Sequence, residues 1–356
     1  MRIYLDHAAT TPMTPAAQTA VAAAMTNWAN PSSPHEEGRR ARAVLEAARG
    51  AIAAAYGWDG EVLLTAGASE SLGLALGRGV AGRRLVLAVE HDAVIRAAPE
   101  AMTLPVGADG VADADALAAA LAGGDRPLVA VQWANSETGV VQPVAALAER
   151  VHTAGGLLLL DASQMPPGAD PLAIAAADLV ALSAHKHGGP PGIGALLLRD
   201  LAVLTPTGGQ ERGYRSGTEN VPAAAGWAAA LAEPVDLALL ASLRALIDDA
   251  VRRSGGEVVA DGSRRYPAIA AYRMPGVASA NQLIRFDMAG FAVSAGSACA
   301  SGSMKPSHVL AAMGWAEGAA REVVRVSIGR TTTRAEVEAF VAAWRDIARA
   351  ARRIAA

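Results

Sequence analysis

Ser183-Ala184-His185-Lys186-His187-Gly188-Gly189, read with Asp161-Ala162-Ser163-Gln164 upstream of it, decides the fold. The apolar run 156–160 ends in the acid Asp161, and a second run, 178–182, ends in Ser-Ala-His-Lys. Short apolar runs whose polar residues appear only at their carboxyl ends are the pattern of buried parallel strands. In open α/β sheets that edge is where ligands sit. A lysine there, flanked by small residues and beside an acid from the neighbouring strand, suits a Schiff base to an aldehyde cofactor. An ordinary solvated lysine on a surface loop is the other reading, and these two segments alone leave both open.

Working outward, strands are predicted at 61–65, 84–89, 102–106, 128–133 and 194–199, interleaved with helices at 15–28, 35–56, 113–122 and 143–154. Thr14 is the expected cap of the first helix, with Pro15 at its first position. Repeated alternation of this kind argues for an α/β fold with a mostly parallel sheet. Beyond 207–220, a polar Gly-rich loop, lies a helix at 221–232. Pro234 is the expected hinge. Helices at 237–253, 307–313 and 334–354 and strands at 256–259, 269–273, 291–293 and 323–328 then suggest a smaller α+β domain. The expected division is a large domain of residues 13–234 and a small one of 1–12 and 235–356.

The chain has 356 residues, 52% hydrophobic and 18% charged, which suits a large buried core and argues against disorder. Net charge is −3, with no basic cluster, so no nucleic-acid partner is expected. Residues 1–7 lack the apolar core of a signal peptide, and no run reaches the ~18 apolar residues of a membrane span. A soluble, cytoplasmic protein is the expectation. The single cysteine, Cys299, excludes an internal disulfide and a cysteine-cluster metal site. Small polar residues surround it, as on a mobile, exposed loop rather than in a packed core.

His91, Asn135, Asp161, Gln164, Ser183, His185 and Lys186 all fall at or just past predicted strand ends. The small-residue turn 66–71 runs from a strand into a helix start, where free amides favour an anion. A pyridoxal phosphate site needs a lysine, an acid for the ring nitrogen, a stacking partner and a phosphate cup, and each has a candidate here.

The segments Tyr4 to Pro12, Thr65 to Ser71, Glu90-His91, Asn135 to Gly139, Asp161 to Gln164, Ser183 to Lys186, Arg215 to Thr218, Gly296-Ser297-Ala298-Cys299 and Arg325 to Arg330 carry a resemblance over nearly the whole chain. It resembles a cysteine desulfurase of the NifS/IscS type, within the class-V, fold-type-I pyridoxal phosphate enzymes. The resemblance implies that Lys186 holds the cofactor, Asp161 pairs with its ring nitrogen, Gln164 binds its hydroxyl and His91 stacks on the ring and moves protons. Ala68 (by its backbone), Ser69, Ser183 and His185 would bind the phosphate, with Thr218 reaching the site of a partner subunit in a homodimer. Asn135 and Arg325 would hold the carboxylate of L-cysteine. Lys186 would take the α-proton, and Cys299 would take the sulfur as a persulfide and pass it to a protein acceptor in iron–sulfur cluster assembly or tRNA thiolation. A selenocysteine lyase, a class-V aminotransferase and an inactive cofactor-binding scaffold are the rival readings. His187 replaces an aromatic residue often found after the lysine, and both His187 and His35 are read as bystanders.

Overall fold

The computed structural model describes residues 2–296 and 306–355, with side chains through residue 350; Cys299 lies outside the described residues. Twelve strands are present among them: β1 Ile3–Tyr4, β2 Glu61–Thr65, β3 Arg84–Leu87, β4 Met102–Leu104, β5 Leu128–Gln132, β6 Leu157–Asp161, β7 Leu179–Ser183, β8 Gly194–Leu198, β9 Glu257–Val258, β10 Ile269–Arg273, β11 Phe291–Ala292 and β12 Val323–Ser327.

β2 to β8 form one sheet in the order β2-β8-β7-β6-β5-β3-β4. The pairs from β7 to β4 are parallel, whereas β8 is antiparallel to both β7 and β2. The chain between Ser183 and Gly194 is shorter than a parallel crossover, which needs about a dozen residues or more. The short return therefore reverses the chain, and Lys186 rides on it. β5 to β8 are buried along their whole length. Alternate residues face opposite sides, as a strand requires: Leu158 and Leu160 pack into one apolar core, Leu157 and Leu159 into the other.

The predicted cap of the first helix is present: Thr14 accepts the amide of Ala17 at 3.1 Å, ahead of helix Pro15–Thr26. His35 likewise caps Glu36–Tyr56, its Nδ1 accepting the Gly38 amide at 3.2 Å. The second half of the chain builds the antiparallel sheet β12-β10-β9, covered by helices Leu237–Arg253 and Arg334–Ala355. Helix Ser279–Met288 is an addition to the expected elements. β1 pairs in parallel with β11, and Leu5 continues onto β12 through the Ser327 amide. Residues 8–11 then cross to the main sheet, where the Thr11 amide donates to the His185 carbonyl at 2.8 Å.

Candidate active site

Strand register brings the polar ends together. Thr65 and Ser183 both lie opposite Gly194, while Asp161 lies opposite Gln132. At this edge a cavity of about 500 Å³ is lined by Ala68, Ser69, His91, Asp161, Gln164, Ser183, His185 and Lys186, with Gln132 and Ser136. A second cavity, about 420 Å³, shares His91, Ser136 and Lys186 with it and reaches Arg325 and His308.

The Lys186 amine donates to the carbonyls of Ala8, at 2.6 Å, and Ala9, at 2.9 Å. Burial, followed by the charge of Arg325, lowers its pKa to about 8. A lysine so placed has a useful neutral fraction near pH 7, which a nucleophilic or basic amine needs. Asp161 ends β6, and its Oδ1 accepts both the amide of Ser163, at 2.9 Å, and the Ser163 hydroxyl. Its Oδ2 is left for the cavity. Gln164 donates through Nε2 to the Ala8 carbonyl at 3.0 Å, leaving its Oε1.

His91 precedes the short helix Asp92–Ala97, and its Nδ1 accepts the Ala93 amide at 3.1 Å. That bond spends the lone pair of Nδ1, so the neutral ring carries its proton on Nε2. Burial lowers the His91 pKa, with Asp161 acting in the opposite sense. His185 is held to about 4 by burial and then by Lys186, and its Nδ1 meets the Thr10 hydroxyl at 3.0 Å.

Ala68 and Ser69 open helix Ala68–Arg78. Their amides have no carbonyl one turn earlier to reach, so they face the cavity unspent. The turn holding them lies close over β8. A Cβ at Gly194 would come within 2.6 Å of the Gly67 Cα and 2.5 Å of the Leu182 carbonyl oxygen.

Arg325, on β12, donates to Asp6 at 2.8 Å and to the Ser136 carbonyl at 3.0 Å. Its Nε is buried with no acceptor among the described residues. Asn135 is buried just past β5. Its Oδ1 accepts the amides of Glu137 and Thr138 and the Thr138 hydroxyl, and its Nδ2 donates to Val89 and Gln132. The oxygen thus ties its own loop, whereas the nitrogen joins it to Val89 and to the Gln132 side chain. Thr218 is exposed on its loop and does not line the cavity.

Several contributors act in ways that residue type alone does not announce. The Ala8 and Ala9 carbonyls are backbone atoms, which residue type does not announce. Glu90 is fully buried, and burial, reinforced by Asp161, raises its pKa well above the ordinary carboxyl range. Its Oε1 accepts the Gln132 amide at 2.7 Å.

A mostly parallel sheet with a lysine on the return from one strand and an acid at the end of the next defines the class. The chain belongs to the aminotransferase class-V family, which residues 3–340 match. It is 40% identical to an IscS-like cysteine desulfurase of Mycobacterium tuberculosis, over 94% of this chain and 93% of that one. It is 38% identical to a cysteine desulfurase of Cereibacter sphaeroides, over 95% and 93%. Among solved structures, a NifS-like protein from Rickettsia africae superposes with a TM-score of 0.85 at 29% identity, covering 98% of this chain and 99% of its own.

The family's cofactor is pyridoxal phosphate, and the residues present fit it. The cavity has room for a substituted pyridine ring, with a lysine of lowered pKa and an acid with one oxygen free. The unspent amides of Ala68 and Ser69 supply an anion site beside them.

Proposed function

We propose that this protein is a cysteine desulfurase: it converts L-cysteine to L-alanine and carries the sulfur away as a persulfide on Cys299. The observation that carries the reading is the meeting of Lys186, Asp161, His91 and a helix start in one cavity that shares its wall with the one reaching Arg325. With pyridoxal phosphate bound, Ala68, Ser69, Ser183 and His185 would hold the phosphate, Asp161 would pair with the ring nitrogen, Gln164 would bind the ring hydroxyl, and His91 would stack on the ring. Once bound, pyridoxal phosphate supplies an electron sink for the α-carbon of the substrate.

The remaining steps belong to the side chains. Arg325, fixed by Asp6, has a buried Nε–H in need of an acceptor, and the carboxylate of cysteine satisfies it. Lys186, once free, takes the α-proton. His91 holds or gives a proton at Nε2, because Nδ1 is committed to Ala93. The Cys299 thiolate forms a bond to the substrate sulfur as the carbon–sulfur bond breaks, and the three-carbon remainder takes up protons and leaves as alanine.

Thr218, exposed and outside the cavity of its own protomer, serves the phosphate site of a second copy in a homodimer. A protein acceptor then takes the persulfide sulfur, in the cytoplasm.

Loading the purified chain with pyridoxal phosphate and adding L-cysteine with a thiol reductant tests the reading. Equal amounts of alanine and sulfide are expected, and Cys299→Ser abolishes both. A rate unchanged by Cys299→Ser, with a keto acid as product, would overturn the assignment in favour of an aminotransferase. Activity that survives Cys299→Ser only on selenocysteine would point to a selenocysteine lyase.

A further inference from the structure

His187 follows Lys186 in the chain and lines a smaller cavity together with Lys186, Gln164, Tyr266 and Arg330. It is buried, and its Nε2 lies 3.1 Å from the carbonyl oxygen of Ser163. A carbonyl only accepts, so Nε2 carries the proton and donates. Burial keeps the ring neutral by lowering its pKa to about 4, with Arg330, Lys186 and His185 adding to the effect and the Ser163 bond opposing it. His7, on the same small cavity, is also held near 4, mainly by burial.

Ser163 points its other two polar groups at Asp161: its amide, at 2.9 Å, and its hydroxyl both go to Oδ1. The carbonyl that His187 holds belongs to the peptide plane that begins Gln164. Pinning it removes rotation about the Cα–C bond of Ser163. That keeps the 161–164 turn closed and fixes both the carboxylate of Asp161 and the start of Gln164.

We propose that His187 is a positioning residue for the acid and the amide of the cofactor site, acting through the Ser163 carbonyl. This rests on the reading of the cavity as a pyridoxal phosphate site. A partner one bond removed from a ligand fixes that ligand's direction, and losing such a partner weakens binding without touching the ligand itself.

The test compares His187→Leu, His187→Gln and Ser163→Ala as apoproteins, each titrated with pyridoxal phosphate and melted without it. Leu removes the donor, whereas Gln places an amide N–H near the position of Nε2. His187→Leu and Ser163→Ala are expected to bind the cofactor about tenfold more weakly, by analogy with outer partners of bound groups, while His187→Gln stays within about twofold of the wild type. With 15N-labelled cofactor, the pyridine nitrogen signal moves toward its unprotonated position in His187→Leu and returns in His187→Gln.

Equal cofactor affinity in wild type and His187→Leu would overturn the positioning role. So would a loss in His187→Gln as large as that in His187→Leu, which marks a packing defect. If His187→Leu does not fold, His187→Met, which likewise lacks the donor, takes its place: wild-type affinity there overturns the proposal. A wild-type chain that refuses pyridoxal phosphate overturns the reading of the site as well, so the two failures are told apart.

Discussion

The Nζ of Lys186 lies 2.6 Å from the carbonyl oxygen of Ala8, although 178 positions separate them in the chain. Two carbonyls favour an ammonium, yet burial and Arg325 bring the pKa down to about 8. Only the neutral amine attacks an aldehyde. The rate at which the apoprotein takes up pyridoxal phosphate, followed by absorbance, is therefore expected to rise with pH and level off above about 8. Arg325→Ala removes a neighbouring positive charge and moves that midpoint upward. A rate flat between pH 6 and 9 would contradict the assignment.

The Arg325–Asp6 pair predicts how substrate binding fails. Arg325→Lys keeps the charge but loses the planar fork, so it cannot hold Asp6, the Ser136 carbonyl and a carboxylate together. The loss of a buried charged contact is worth about 2–5 kcal/mol. The expected outcome is a KM for L-cysteine raised by one to three orders of magnitude, on the order of that energy, with the affinity for pyridoxal phosphate unchanged. A variant that loses cofactor and substrate equally would show that Arg325 serves the fold.

Gly194 has no room for a side chain, since a Cβ would meet the backbone of both Gly67 and Leu182. Backbone cannot swing aside as a flexible side chain does. Gly194→Ala is expected to cost about 1–3 kcal/mol of stability by denaturant unfolding. It also displaces the turn of Ala68 and Ser69, so cofactor binding weakens more than stability alone accounts for.

Glu211 and Arg212 hold left-handed backbone, with φ of 50° and 57°. Such conformations are costly for residues with a Cβ. What holds them is the Glu211 carboxylate, which receives Arg49 at 2.6 and 3.1 Å and the Leu64 amide at 2.9 Å. Glu211→Ala leaves the buried Arg49 guanidinium with only the more exposed Glu46 carboxylate and the Val62 carbonyl, and is expected to cost about 3 kcal/mol, the low end for a broken buried pair. Limited proteolysis should then cut first within 207–220. An unchanged unfolding midpoint would show that the pair contributes nothing.

His7, His185 and His187 all have pKa values lowered to about 4, chiefly by burial. Between pH 6.5 and 4 the unfolded chain binds protons that the folded chain does not, so stability falls as pH falls through that window. Glu90 acts in the opposite sense above its ordinary pKa, so differences between variants are the cleaner measure. His7→Gln is expected to flatten the acid limb of the unfolding free energy by up to about 1.4 kcal/mol per pH unit. An identical slope in variant and wild type would contradict it.

Much of this was legible before any coordinates. Leu157 to Asp161 and Leu179 to Ser183 announced buried strands because uninterrupted Leu and Val cannot sit half in water, and the polar residue after each run marked the sheet edge. Helix Ser279–Met288 was not legible, because Gln282 is buried in it. Its side-chain nitrogen donates to the carbonyls of Val277 and Glu322, contacts that a hydrophobic pattern does not register. The reversal at β8 was implicit in the shortness of the Ser183–Gly194 connection. The bonds that Asn135 makes to its own turn were not legible either, because an amide at a strand end serves its turn as readily as a ligand. Glu211 looked like one more polar loop residue until Arg49, far away in the chain, was found against it.

What residues 3–9 rest on is made long after them: Ser327, which binds the Ala8 amide, follows 319 positions afterwards. The carbonyls that hold the lysine amine thus come into place only once Ser327 has been synthesised. A nascent chain interrupted anywhere before that point would own the lysine and the acid and still lack the floor beneath them.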